Sequence, residues 1–303
     1  MKLPTPLEPA PATLAPGREV WLKREDVHEL GAFKWRGALP ALESFRERGA
    51  EAVVTASTGN HGAATAWAAE QLGLKALVFA PLGASPTKLA HVERLGAELR
   101  LVGADLDEAK DDARSFAEAH GFPFFEDGAE PAQFKGYAAI GVEILAQSPQ
   151  ETAAVVVPVG NGALIAGIGR ALADGSPRPL CLGVVAKEAP VMALSWRARR
   201  PVESDRCATF ADGLATRVAV PLAVTELVEV VDRMVEVSER ELALAVAAFA
   251  AVGIRGEGAA AAALAALSQL GDVEGPVVLV VTGRNIDDEL FARCVERPES
   301  FPD

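Results

Sequence analysis

Short runs of β-branched residues alternate with alanine-rich stretches of helical spacing along most of this chain, and no other feature restricts its fold so strongly. Residues 52–55, 76–79 and 99–102 read as strands, and each is followed by a segment whose apolar residues recur at helical intervals. Strand–helix–strand units of this kind build parallel sheets, because a parallel connection needs a long crossover. The pattern resumes at 154–159, 181–185 and 228–235, and ends in the unbroken apolar run Val277–Val281, which has the character of a strand buried on both faces. The expected class is α/β with two open sheets. A helix over 105–120 is well signalled by acidic residues in its first turn, Gly121 after its last and Pro123 beyond. Segments 174–179 and 196–205 read as surface connections.

At 303 residues, half of them hydrophobic, the chain can bury one large core or two moderate ones, so two lobes are expected. The net charge of −13 is spread along the sequence, which argues against a nucleic acid or an anionic membrane as partner and for a small molecule. Cys181, Cys207 and Cys294 are odd in number and in no metal-ligand spacing, so neither a disulfide framework nor a zinc site is expected, and a reducing cytoplasm fits. The proline-rich stretch 1–14 has no charged-then-apolar leader, and the uncharged stretch 242–254 falls short of the roughly 18 residues that span a bilayer. No targeting segment and no membrane span are expected.

Five segments carry chemistry. Lys34 lies between Phe33 and Trp35, just after a turn at Gly31. An amine that attacks an aldehyde must be partly neutral, and apolar neighbours disfavour the ammonium form. Ser57-Thr58-Gly59-Asn60-His61-Gly62 opens a helix that runs to Leu72, where backbone N–H groups and small hydroxyls suit a carboxylate or phosphate. The same residues also suit an ordinary helix cap. Gly160-Asn161-Gly162-Ala163-Leu164 leads into an apolar helix and can close around an anion, whereas a dinucleotide loop would need three glycines in tighter spacing and an acidic residue about 20 positions on. The last two segments are 211–215 and the turn Thr282-Gly283-Arg284-Asn285. Thr282, Gly160 and Ser57 all fall at the carboxyl ends of expected strands, where ligands of open α/β sheets gather.

On these residues the chain resembles the fold-type II pyridoxal 5'-phosphate (PLP) enzymes, the tryptophan-synthase β-like group, and most closely the threonine and serine dehydratases with their serine-racemase relatives. The likeness runs nearly end to end. It takes in Thr5-Pro6-Leu7, the lysine motif, the 57–62 turn, Pro86 to Lys88, Leu95-Gly96-Ala97-Glu98, Lys135-Gly136-Tyr137 through Glu143, the glycine turn, Ala211-Asp212-Gly213, residues 257–267 and the final TGRN. It implies two open-sheet α/β domains with the cofactor in the cleft between them, a large PLP-binding domain of 1–46 and 135–303 and a small one of 47–134. By resemblance Lys34 carries PLP as a Schiff base and then acts as base, Asn60 bonds the cofactor's phenolic oxygen, Gly160 to Leu164 hold its phosphate, and Thr282 meets the pyridine nitrogen. Phe33 and Glu257 are further cofactor contacts. Ser57, Thr58, Gly59, Asn60 and His61 take the substrate carboxylate. The implied reaction removes water and ammonia from a small β-hydroxy amino acid to give a 2-oxo acid, and the implied assembly is a homodimer.

Departures from the dehydratase pattern are Asn161 and Ala163 in the glycine turn, Ala32 in the lysine motif, Arg284 in TGRN, and Thr58 where alanine is usual. Asn161 also occurs in threonine-synthase-like members, so β-replacement stays open, as does a PLP-binding carrier without turnover. Thr58 stands where serine racemases hold a hydroxyl able to protonate Cα, which leaves racemisation as an alternative. Racemase relatives carry a divalent-cation ligand directly after Gly-Val. Here Gly183-Val184 is followed by Val185, which offers no oxygen, so no metal site is expected. With Asp303 so soon after TGRN, a C-terminal regulatory domain is not expected either.

Overall fold

The structure, a computed structural model, describes residues 4–149 and 151–303. In these residues nine strands form two sheets: β1 (Leu7–Pro9), β2 (Val20–Arg24), β3 (Ala52–Ala56), β4 (Lys75–Ala80), β5 (Glu98–Leu101), β6 (Ala154–Pro158), β7 (Leu180–Ala186), β8 (Arg233–Val237) and β9 (Val277–Val281). The larger sheet has the order β1-β2-β9-β6-β7-β8, parallel except for β1, and the smaller is β3-β4-β5, all parallel. Strand β9 lies between β2 and β6, and all five of its residues are fully buried, as an unbroken Val-Val-Leu-Val-Val run requires. The helices Glu239–Ala251 and Gly258–Ala265 supply the side chains that pack with β9 and β6 in the larger core.

The chain divides into two compact units. One runs through Phe33 and resumes from Tyr137 to Asp303; the other is Lys34–Gly136. The helix Trp35–Glu47 packs along the helix Asn60–Leu72 within the smaller unit. In the smaller unit Ala52, Val54, Leu77 and Phe79 pack against Ala113 and Ala117 of the helix Leu106–His120. That helix begins one residue later than read, with the Asp105 carboxylate as its cap: Oδ1 accepts from Asp107 N at 2.9 Å and Glu108 N at 3.0 Å.

Two segments differ from the sequence expectation, and one strand pair carried no sequence signal. Residues 228–230 belong to the helix Pro221–Val230, whose Ala223, Val224 and Leu227 are buried at helical intervals, so packing overrides the β-branched run. Residues 196–198 end the helix Val191–Ala198 rather than form a surface connection, and Trp196 Nε1 donates to Val231 O at 3.2 Å. The antiparallel pair β1–β2 was not anticipated at all. The strands pair through their backbone ladder, with Leu7 opposite Lys23, and beside it lies a buried polar network in which Lys23 Nζ, with no exposed side-chain surface, meets Glu143 Oε2 at 2.6 Å, Thr5 O at 2.8 Å and Gln147 Oε1 at 3.0 Å. Thr5 Oγ1 donates to Glu25 Oε1 at 2.6 Å. The Lys23-Arg24-Glu25 segment and Glu143 thus act in the scaffold.

Among the described residues no helix is long and apolar enough to cross a membrane, and no group of three or more His, Cys, Asp or Glu side chains is arranged to hold a metal.

Candidate active site

In the smaller unit, Lys34 immediately precedes the helix Trp35–Glu47, and its Nζ forms an ion pair with Asp127 Oδ2. The expected apolar setting is therefore incomplete. Trp35 packs against Trp67 with ring centroids 6.1 Å apart, but the amine itself faces a carboxylate. Asp127 Oδ1 accepts from Gln133 Nε2 at 2.9 Å and lies 3.7 Å from His61 Nδ1. Burial alone would raise the pKa of Asp127, but the charge of Lys34, His61 and the hydrogen bonds from Lys34 and Gln133 outweigh it and hold the carboxyl far below its ordinary range. Asp127 was missed in the sequence, although a signal was there. The apolar pair Phe124-Phe125 follows a helix stop, and Phe124 forms a parallel bridge with Val54, so Asp127 falls near the carboxyl end of one more strand-like segment.

The 57–62 turn joins β3 to the helix Asn60–Leu72. Ser57 N donates to Phe79 O at 3.0 Å, while Ser57 Oγ accepts from Gly59 N at 3.2 Å. A side chain at Gly62 would come within 3.1 Å of Ser57 O, so glycine lets the helix start close over the turn. Thr58 and Asn60 are partly exposed and Gly59 is exposed. The buried His61 ring lies 4.6 Å from the Phe125 ring, with Nε2 at 3.0 Å from Thr55 Oγ1 and 3.3 Å from Phe125 O. Burial pushes its imidazole below the ordinary value, further than the neighbouring Asp127 charge pulls it up. What this turn can offer an anion is the backbone N–H groups of the helix's first turn together with the hydroxyls of Ser57 and Thr58.

The other predicted residues lie in the larger unit. Gly160 follows β6 and packs so closely on Gly213 that a Cβ there would collide with the Gly213 carbonyl. Gly162 has a φ of +93°, and a Cβ would sit 2.5 Å from Leu227 Cδ2, so the turn into the helix Ala163–Leu172 requires glycine on both counts. Asn161 Oδ1 accepts from Ala163 N at 3.0 Å and closes the turn from within. At the end of β9, Thr282 O accepts from Phe33 N at 3.1 Å, and Arg284 N donates to Gly31 O at 2.8 Å. These bonds stitch the residues just before Lys34 to the TGRN turn, and Phe33 also packs on Tyr137 with ring centroids 5.2 Å apart. Glu257, buried at the start of the helix Gly258–Ala265, accepts from Asn285 N at 3.0 Å. The hydroxyl Oγ1 of Thr282 is buried without a hydrogen-bond partner among the described residues.

A sequence model described as pyridoxal-phosphate dependent enzyme matches residues 2–283. The chain belongs to that family. It is 36% identical over 285 residues to an L-threonine ammonia-lyase of Geobacter sulfurreducens, covering 93% of this chain and 71% of the relative. It is 34% identical over 287 residues to the L-threonine ammonia-lyase of Thermotoga maritima, again covering 93% and 71%. Its fold matches the processed form of threonine deaminase isoform 2 from Solanum lycopersicum with a TM-score of 0.90 at 30% identity, covering 96% of this chain and 87% of that one. As a pyridoxal-phosphate dependent enzyme it uses PLP, and its residues fit that cofactor. A lysine amine is present to bond the aldehyde, a glycine turn at a helix N-terminus suits the phosphate, and the Thr282 hydroxyl is buried with a bond still to make.

Proposed function

We propose that this protein is a PLP-dependent ammonia-lyase that converts a small β-hydroxy amino acid, L-threonine first and L-serine second, to a 2-oxo acid and ammonia. The observation that carries this reading is the buried, unpartnered hydroxyl of Thr282 at the carboxyl end of the central strand. A neutral hydroxyl facing the cofactor ring leaves it less electron-withdrawing than a carboxylate partner would, which suits elimination over prolonged carbanion chemistry. Bound PLP supplies a sink for the electrons released at Cα.

The protein's own residues do the rest. Lys34 would hold the cofactor through Nζ, and the same amine, once free, would take the Cα proton. The 57–61 turn binds the substrate carboxylate, Asn60 meets the phenolic oxygen, and Gly160, Asn161, Gly162, Ala163 and Leu164 take the phosphate. Phe33 and Glu257 complete the cofactor's surroundings. After the β-hydroxyl leaves as water, return of Lys34 Nζ to the cofactor would free the enamine, which water hydrolyses to the 2-oxo acid and ammonia. The three free cysteines support a cytoplasmic setting, and the family resemblance supports a homodimer. Thr58, with its hydroxyl at the substrate turn, supports a minor racemisation beside elimination.

The test is product analysis with purified holoenzyme. L-Threonine should give 2-oxo acid and ammonia in equal amounts. Thr282→Ala should lower turnover while PLP stays bound. Absence of 2-oxo acid from every L and D β-hydroxy amino acid tried would overturn the reading.

A further inference from the structure

Asp127 is built into its place more firmly than a surface counter-ion would be. Gln133, which has no exposed surface, donates through Nε2 to Asp127 Oδ1 at 2.9 Å and accepts through Oε1 from Gly128 N at 2.9 Å. The glutamine is thus clamped at both ends of its amide and fixes one carboxylate oxygen, leaving the other for Lys34 Nζ. The remaining titratable group on the carboxylate is His61, on the helix Asn60–Leu72, 3.7 Å away through Nδ1. Its other ring nitrogen, Nε2, lies 3.0 Å from Thr55 Oγ1, whose hydroxyl donates to Phe125 O at 2.8 Å, so Nε2–H is the donor toward Thr55, and burial holds the imidazole below its ordinary value. Lys110, on the helix Leu106–His120, acts on the His61 ring from further off and is itself paired with Glu126. Lys34 is therefore the cation that Asp127 serves.

We propose that Asp127 is the positioning carboxylate of Lys34: it orients Nζ and faces the positive charge that Lys34 gains on taking the substrate's Cα proton. The proposal rests on the functional reading above. In the step it assists, the Cα–H bond breaks with its electron pair left on carbon, and the proton forms a new N–H bond on Nζ. The Cα pair then forms a Cα=Cβ double bond as the Cβ–O bond breaks with its pair on oxygen, which takes the proton back and leaves as water. Nothing is oxidised or reduced, and Asp127 keeps its charge throughout. A carboxylate at this distance stabilises an ammonium that develops during proton transfer, so its loss should slow that step above all others.

Asp127→Asn keeps the shape and the Gln133 bond and removes the charge. With holoenzyme, the expected result is a fall in kcat of about 10²-fold with KM within threefold, and recovery of at least tenfold in Asp127→Glu. The isotope effect with Cα-deuterated threonine should rise, because proton removal becomes the slower step. The visible cofactor absorbance should stay and remain sensitive to borohydride, while its circular dichroism, which reports orientation, should change. Exchange of the Cα proton of L-alanine in deuterated water, followed by NMR, should slow by a similar factor. Alanine has no β-hydroxyl, so this arm stands even if elimination itself fails in the wild type. A kcat and an alanine exchange rate within threefold of wild type, an unchanged isotope effect, or loss of the cofactor band in Asp127→Asn would each overturn the proposal.

Discussion

His61 belongs to the 57–62 turn, but its ring turns into the core of the smaller unit. Its ring is buried against Phe125 and Thr55, and that burial lowers its pKa, so the folded protein binds a proton there less readily than the unfolded chain does. Stability is then greatest above the ordinary histidine value of about 6.5 and is lost as the pH falls below it toward the lowered folded value. His61→Gln should flatten the melting temperature against pH between about 6.5 and 5 relative to wild type. His91, also lowered by burial and by Arg94, contributes equally to both proteins and cancels in the comparison. Identical slopes would mean that the His61 ring titrates normally. Lys34, Asn60 and Thr282 stand out in the sequence because each sits in a motif whose neighbours are distinctive. Asp127 does not, since its role depends on Gln133 and His61, which lie 6 and 66 positions away. The strand-like Phe124-Phe125 pair marks only that Asp127 falls near a strand end, not which side chains it meets. For Thr58, L-serine incubated in deuterated water should yield some D-serine carrying deuterium at Cα, and less with Thr58→Ala; no D-serine from wild type would remove the racemase role.

At the scale of elements, the glycine turn after β6 gives the sharpest prediction. A methyl at Gly160 meets the Gly213 carbonyl, which is backbone and cannot swing aside, so the turn itself must open. Gly160→Ala should weaken PLP binding at least tenfold, about 1.4 kcal/mol or more, with the fold retained, as measured by titrating the visible band. Unaltered affinity would show that the turn does not hold the phosphate. Elements with strong local signals were readable. Strand β9 was placed to the residue, and the helix Leu106–His120 was off by one, because an unbroken apolar run and a capped amphipathic segment each leave one choice. The run 228–230 misled because its valines serve a helix in which only one face is buried. Strands β1 and β2 were invisible since they are short and partly polar, with the Lys23–Glu143 pair beside them rather than an apolar stripe.

For the whole molecule, the alternation of strands and helices was enough to give the class and the two sheets, because each crossover length permits little else. The division at Phe33–Lys34 follows from the packing of the helix Trp35–Glu47 on the helix Asn60–Leu72, a tertiary contact that no local pattern carries. The larger unit also depends on the buried Lys23–Glu143 pair, whose severing leaves a charge without compensation. Glu143→Gln should cost about 3–5 kcal/mol in denaturant unfolding. A loss under 1 kcal/mol would show the pair to be dispensable. The account turns on Lys34 as the residue that carries the cofactor, and one measurement meets that claim directly: reduce the holoenzyme with borohydride, digest it, and locate the cofactor-derived group by mass spectrometry. A single modified peptide is expected, with the group on Lys34; a group found on another lysine such as Lys23, Lys135 or Lys187 instead, or cofactor bound with no lysine modified, would contradict that assignment.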